Sequence, residues 1–153
     1  MDHRKAAEQY HAMGYNCSQS VLAAFSDMTG LGERESLSAA GCFGRGAGAG
    51  ELCGAVCGAL LALGAMTPVD PQDPAGSKLR SVALGRMFLE RFSQVFGDVR
   101  CRDLLPKPLT AEDATPAVRE MGITDHCSIL AASAAEIVED LLREREMDQA
   151  NHA

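Results

Sequence analysis

Six cysteines stand in a chain with no tryptophan and only seven aromatic side chains. Four of them share a context. Cys17 follows Asn16, a good helix N-cap. Cys53 opens an apolar stretch after a glycine-rich run. Cys101 lies between Arg100 and Arg102, and Cys127 comes two residues after Asp125. Each therefore falls at a predicted helix start, where free N–H groups and the positive end of the helix dipole favour thiolate over thiol. Arg100 and Arg102 are expected to add to that effect at Cys101. Cys17 also lines up with Val21 and Phe25, Cys53 with Cys57 and Leu60, and Cys127 with Leu130 and Ala134. Four inward-facing cysteines from four helices can converge on one point.

Converging cysteines can do three things. A low-pKa thiolate with a resolving partner can exchange disulfides. Four thiolates can hold an iron–sulfur cluster or tetrahedral zinc. Or the cysteines are inert, since a free cysteine also packs as a small hydrophobe. Common zinc sites use close pairs such as C-x2-4-C. Only Cys53 and Cys57 approach that spacing, so zinc is the weaker expectation and any site must be assembled by tertiary structure. The pairing for disulfide exchange stays open, because four cysteines allow three pairings.

The elements that must position these residues read as helices. Residues 2–13 form a short one stopped by Gly14. A second starts at Cys17 with the stripe Cys17, Val21, Ala24, Phe25, Met28 and ends at Gly30 and Gly32. Ser36–Ala40 adds a turn or two. Gly41–Gly54 holds six glycines and reads as a loop, followed by an apolar helix over Cys53–Met66. Pro68, Pro71 and Pro74 mark a turn-rich connection. Ser77–Phe96 is amphipathic through Leu84, Phe88, Phe92 and Val95, with Gly97 as its stop. Cys101–Leu105 is a short helical piece, and residues 109–124 are irregular or weakly helical. Asp125 caps a last helix with Cys127, Leu130, Ala131, Ala134, Val138, Leu141 and Leu142 inward. Its outer face is Glu136, Glu139, Asp140, Arg143 and Glu144, and its tail frays from Asp148.

The expectation is thus an all-α fold: a single-domain helical bundle over residues 1–153, with its core at about 6–145 and a Gly-rich loop leading into a central apolar helix. Composition agrees, with 24 Ala and 16 Leu against 8 Val and 3 Ile. The chain carries 14 basic and 21 acidic residues, a net charge of −7, which suits neither nucleic acid nor an anionic membrane. The longest apolar run, Leu52–Met66, is short of the roughly 20 residues that a membrane span needs. It can serve as a monomer core or as part of a homodimer face. The start, MDHRKAAEQYH, is polar and lacks the apolar stretch of a secretory signal, so a reducing, cytoplasmic setting is expected.

The order of motifs resembles a known family. C-G-A-V-C-G (Cys53–Gly58) fits C-G-A-x-x-G. Asn16-Cys17-Ser18-Gln19-Ser20-Val21 and the glycine-rich Ala40–Gly50 lie upstream. Phe92, Phe96-Gly97, Cys101-Arg102-Asp103-Leu104-Leu105 and Cys127 lie downstream. From about Ala6 to Leu142 the chain resembles the C_GCAxxG_C_C family of small redox-active proteins. The resemblance implies that the characteristic cysteines are Cys17, Cys53, Cys101 and Cys127, as catalytic thiols or, if a metal or cluster is bound, as its ligands. A similar module accompanies an iron–sulfur centre in split-Soret cytochromes, which makes a cluster the leading cofactor candidate. The redox partner is unknown. Cys42 and Cys57 are extra to the pattern, and Cys57 reads as a spare core residue.

Other chemistries find little support. There is no C-x-x-C with a βαβ pattern, no C-x-x-C-H for covalent haem and no Walker loop. G-R-G-A-G-A (Gly44–Ala49) fits a loose dinucleotide fingerprint, but no strand precedes it. It reads instead as close backbone packing around Cys53, with N–H groups directed at the sulfur. Arg45 reads as solvated surface that could attract an anion. His126 beside Cys127 reads first as a surface residue, with a further ligand or a proton acceptor as the alternative, and His3, His11 and His152 read as terminal or surface residues. Cys53 is the expected centre of a redox site completed by Cys17, Cys101 and Cys127. The competing reading is a non-redox zinc-binding or helical interaction module.

Overall fold

The computed structural model describes residues 1–151. Nine α-helices make an all-α architecture, with no strand among the described residues. In order they are α1 (His3–Ala12), α2 (Cys17–Ala24), α3 (Ser26–Thr29), α4 (Glu33–Ala39), α5 (Gly54–Ala65), α6 (Pro74–Phe96), α7 (Cys101–Leu104), α8 (Pro116–Glu120) and α9 (His126–Asn151). Short 3-10 turns occupy Gly41–Phe43 and Ala111–Asp113. His152 lies outside the described residues. No helix is long and apolar enough to cross a membrane among the described residues.

Caps and stops account for most boundaries. Asp2 accepts the Arg4 and Lys5 amides ahead of α1. Asp73 accepts the Gly76 amide, and Pro74 occupies the first turn of α6, so that helix begins three residues before the expected Ser77. Gly97 and Gly30 take left-handed conformations after α6 and α3.

Helix α5 is apolar on nearly every side, because α2, α6 and α9 pack around it. Helix α9 is enclosed by α1, α2, α5, α6 and α8, and buries residues 128–138 almost continuously. Phe25, Phe88, Phe92, Leu63, Leu104 and Ile129 fill the core between them. Phe88, Phe92 and Phe96 stack in series, with centroids 6.0 and 4.9 Å apart.

Several expectations are corrected. The helix from Cys17 breaks at Phe25, and Met28 is 45% exposed on the separate α3. Phe96, rather than Val95, closes the buried stripe of α6. The 41–50 segment is not open loop. After Gly41–Phe43 it closes into a kinked turn with Arg45, Gly46, Ala47 and Gly48 all left-handed. Gly46 is required there, since a Cβ would lie 2.4 Å from the Glu51 backbone nitrogen. Helix α9 continues through Asp148 to Asn151 instead of fraying.

Glu136 and Glu139 do not face solvent. Glu136 is buried, accepting from Arg4 Nη1 at 3.4 Å and the Ala117 amide at 3.1 Å. Glu139 takes the His3 ring at 2.8 Å. His3, expected at the surface, is 7% exposed and stacks on Phe25 with centroids 4.3 Å apart, its other ring nitrogen 3.1 Å from Asp27.

Candidate redox centre

Local chemistry places each of the four characteristic cysteines at a helix start, as their sequence context predicts. Cys17 is the first residue of α2, where a reciprocal cap holds the chain: the Gln19 amide donates to Asn16 Oδ1 at 2.9 Å, and the Asn16 amide donates to Gln19 Oε1 at 3.0 Å. The Asn16 side chain also donates to the Gly41 carbonyl, tying the glycine-rich segment to this corner. Cys53 is the cap residue of α5, Cys101 the first residue of α7, and Cys127 the second of α9, where Asp125 Oδ2 accepts the Ser128 amide at 3.0 Å.

Two contacts bring these starts together. The first is the close approach of α2 and α5. Cβ atoms at Gly54 and Gly58 would lie 3.4 Å from the Ser18 nitrogen and 2.5 Å from the Ser18 carbonyl oxygen, so the motif glycines let the two backbones meet. The second is a single antiparallel bridge, Leu52 to Arg100. In it the Cys53 amide donates to the Val99 carbonyl at 2.8 Å and the Cys101 amide to the Glu51 carbonyl at 2.7 Å. The bridge thus holds side by side the segments that lead into Cys53 and Cys101. One bridged pair is too short to show as alternation in the sequence.

Cys17, Cys53, Cys101 and Cys127 line one cavity of about 270 Å³, with His11, Arg45 and His126 around it and Leu104, Leu105 and Leu130 as its apolar wall. Cys17 Sγ donates to the Cys127 carbonyl at 3.7 Å. Cys17 Sγ, Cys127 Sγ and a ring nitrogen of His11 all lie within 4.8 Å of one another. His126 Nε2 is buried without a hydrogen-bond partner. All six cysteines are free thiols. Cys42 is exposed and does not line the cavity. Cys57 faces an apolar groove with Phe43, Leu60 and Leu61, its sulfur donating to the Leu52 carbonyl at 3.6 Å.

The electrostatics differ from expectation. Burial outweighs the helix-start effect at Cys53 and Cys101. It raises Cys53 to about 11, although the Val56 and Ala55 amides pull the other way. Those amides belong to α5 itself, not to the glycine-rich segment. Burial also raises Cys101, helped by negative charge on Cys127 and opposed by Arg45. Arg100 and Arg102 do not serve Cys101, because both turn to Glu51. Cys17 and Cys127 behave as a pair. The interaction between the two thiol groups holds Cys17 well above the usual thiol range and brings Cys127 down to about 7. The Asp125 charge opposes ionisation of Cys127 and Arg45 favours it. Of the four, only Cys127 is shifted towards the thiolate.

Two residues near the sulfurs look like surface in the sequence alone. His11 belongs to α1, and its Nδ1 lies 2.8 Å from Ser128 Oγ and 3.5 Å from Asp125 Oδ2. Its place at the cavity follows from the packing of α1 against α9, which no local pattern announces. Arg45 reaches the site because its left-handed backbone turns the segment back over the cavity mouth.

The sequence model of a family described as "Putative redox-active protein (C_GCAxxG_C_C)" matches residues 15–141, which include all four cavity cysteines. No curated protein and no solved structure matches the chain.

Proposed function

The chain belongs to the C_GCAxxG_C_C family, and from that membership we propose that it is a redox protein whose working pair is Cys17 and Cys127. The observation that carries this reading is their juxtaposition: two free thiols with sulfurs within 4.8 Å, the Cys17 thiol donating to the Cys127 carbonyl, in the wall of a cavity. A disulfide needs the sulfurs at about 2.05 Å, so the two side chains must draw together from a separation of under 4.8 Å.

The chemistry follows from thiol exchange. The Cys127 thiolate attacks one sulfur of a substrate disulfide. The substrate S–S bond breaks, a mixed disulfide forms, and one substrate thiolate leaves. Cys17 then loses its proton, attacks Cys127 Sγ and expels the second substrate thiolate, closing a Cys17–Cys127 disulfide. Two electrons pass from the pair to the substrate. The departing thiolates take up two protons, one from Cys17 and one from solvent. The half-buried setting and the apolar wall restrict water at the reacting sulfurs, and Arg45 favours the attacking thiolate.

A second reading has its own observation: Cys53 and Cys101 line the same cavity, and a dithiol does not need them. Four cysteine sulfurs are the donor set of an iron–sulfur cluster, which supplies one-electron transfer. Cys17, Cys53, Cys101 and Cys127 would hold it. Iron and acid-labile sulfide in protein purified without air test this reading.

The test of the first reading is peptide mapping. Fully reduced protein is equilibrated with oxidised glutathione, alkylated and digested. The expected product is a cross-link between the peptides carrying Cys17 and Cys127. A cross-link only between other cysteines, or none, overturns it.

A further inference from the structure

The cavity contains a donor set that disulfide exchange leaves unused. His11 comes from α1, before the residues that the family model matches, yet one of its ring nitrogens lies within 4.8 Å of both Cys17 Sγ and Cys127 Sγ. We propose that His11, Cys17 and Cys127 form a mononuclear zinc site with one coordination position open to the cavity.

Three features carry the proposal. The first is the donors themselves. Two thiolates and an imidazole suit a borderline-soft divalent cation, and three protein ligands with a free fourth position mark zinc sites that take an exchangeable ligand. In a tetrahedral zinc site such donors stand about 3.8 Å apart or less, given Zn–S near 2.3 Å. The sulfurs and the imidazole already lie within 4.8 Å of one another, so they need to close by at most about 1 Å.

The second is the support behind the histidine. Nδ1 of His11 is engaged by Ser128 Oγ at 2.8 Å, with Asp125 Oδ2 at 3.5 Å. That leaves Nε2 as the ring nitrogen without a hydrogen bond. A ligating histidine that hands its other nitrogen to a hydroxyl or carboxylate has its tautomer and ring plane fixed. Ser128 and Asp125 stand at the same helix start as Cys127, so one turn of chain sets both ligand and support.

The third is the open side. The cavity of about 270 Å³ borders all three donors and offers room for a water or a small ligand on the metal. Binding Zn2+ displaces the thiol protons of Cys17 and Cys127 and withdraws both sulfurs from attack on a disulfide. Zinc and oxidation therefore compete for the same pair, although zinc binding itself does not require that the pair form a disulfide.

The test uses the full chain, reduced and metal-free, without air. Co2+ is titrated as a spectroscopic probe and then displaced by Zn2+ against a chromophoric chelator. The expected result is one ion per chain, thiolate-to-cobalt charge transfer, and an X-ray absorption first shell containing one imidazole and two sulfurs. His11→Ala weakens Zn2+ binding at least tenfold, and Ser128→Ala weakens it by about tenfold. Cys42→Ala, at an exposed cysteine outside the cavity, changes it less than twofold. A wild-type protein that binds no Zn2+, a His11→Ala protein that binds it unchanged, or a first shell of four sulfurs overturns the site. The absorption measurement is made on the wild-type chain, so it decides the matter even where a variant misfolds. Peptide mapping separates this proposal from the preceding one. Protein that forms the Cys17–Cys127 disulfide and binds no zinc overturns the zinc site alone. Protein that binds zinc through His11 and forms no such disulfide overturns the redox pair alone.

Discussion

A Cβ on Gly58 would lie 2.5 Å from the carbonyl oxygen of Ser18, a contact that backbone cannot relieve without moving one helix off the other. This near-touch of α5 and α2, at the residue after Cys17 and five residues beyond Cys53, sets the distance between two of the four helix starts that frame the cavity. Gly58→Ala is expected to destabilise the fold by about 1–3 kcal/mol, the range for overpacking a tight core. Urea unfolding measures it as a lower midpoint with an unchanged slope. An unchanged midpoint would show that α2 and α5 have slack.

The coupling between Cys17 and Cys127 predicts a pH profile. Cys127 has a folded pKa of about 7, below the ordinary thiol value, so its thiolate is lost as pH falls through 7 and present above it. Alkylation of Cys127 should rise through about pH 7, with Cys53 following only near pH 11. In Cys17→Ala that coupling is gone, and the Cys127 profile should move to higher pH. A profile that stays in place would show that Cys17 does not hold the thiolate.

Asp125 offers the opposite sign. Its charge opposes ionisation of Cys127, while its side chain caps α9 through the Ser128 amide. Asparagine caps nearly as well as aspartate. Asp125→Asn should therefore leave stability close to wild type and shift Cys127 alkylation to slightly lower pH. Asp125→Ala should cost about 1 kcal/mol of stability through the lost cap. Thermal unfolding and alkylation rates of the two variants separate cap from charge.

His3 ties three elements together. It stacks on Phe25, and its ring nitrogens meet Glu139 and Asp27. His3→Ala removes the stack and leaves Glu139 to the His3 backbone amide alone among its observed hydrogen-bond partners, so about 1–3 kcal/mol of stability should be lost. A melting temperature equal to wild type would contradict this.

Much of the scaffold is legible in the sequence because its boundary signals are local. Asn16, Asp125, Gly30 and Gly97 act within a turn of their own positions, and Asn16 and Asp125 mark where the helices of Cys17 and Cys127 begin. The apolar character of Leu52–Met66 likewise announces a buried helix. What escapes depends on partners distant in sequence. Glu136 looks like a surface residue until α8 and Arg4 supply its hydrogen bonds. His11 looks terminal until α1 packs along α9. The Leu52–Arg100 bridge is one pair long and leaves no periodic trace. The ranking of the cysteines also inverts. Position at a helix start favours ionisation of all four, but depth of burial raises Cys53 and Cys101, and the pairing with Cys17 lowers Cys127.

The central claim is that Cys17 and Cys127 are a reversible redox pair within one folded chain. The most direct measurement is a thiol count on folded protein equilibrated across a series of reduced and oxidised glutathione mixtures, with helicity followed in parallel. The account predicts that the chain passes reversibly from six free thiols to a state lacking two, that the lost pair is Cys17 and Cys127, and that helicity is unchanged. Six thiols persisting across the series, or loss of thiols only as the helices unfold, would contradict it.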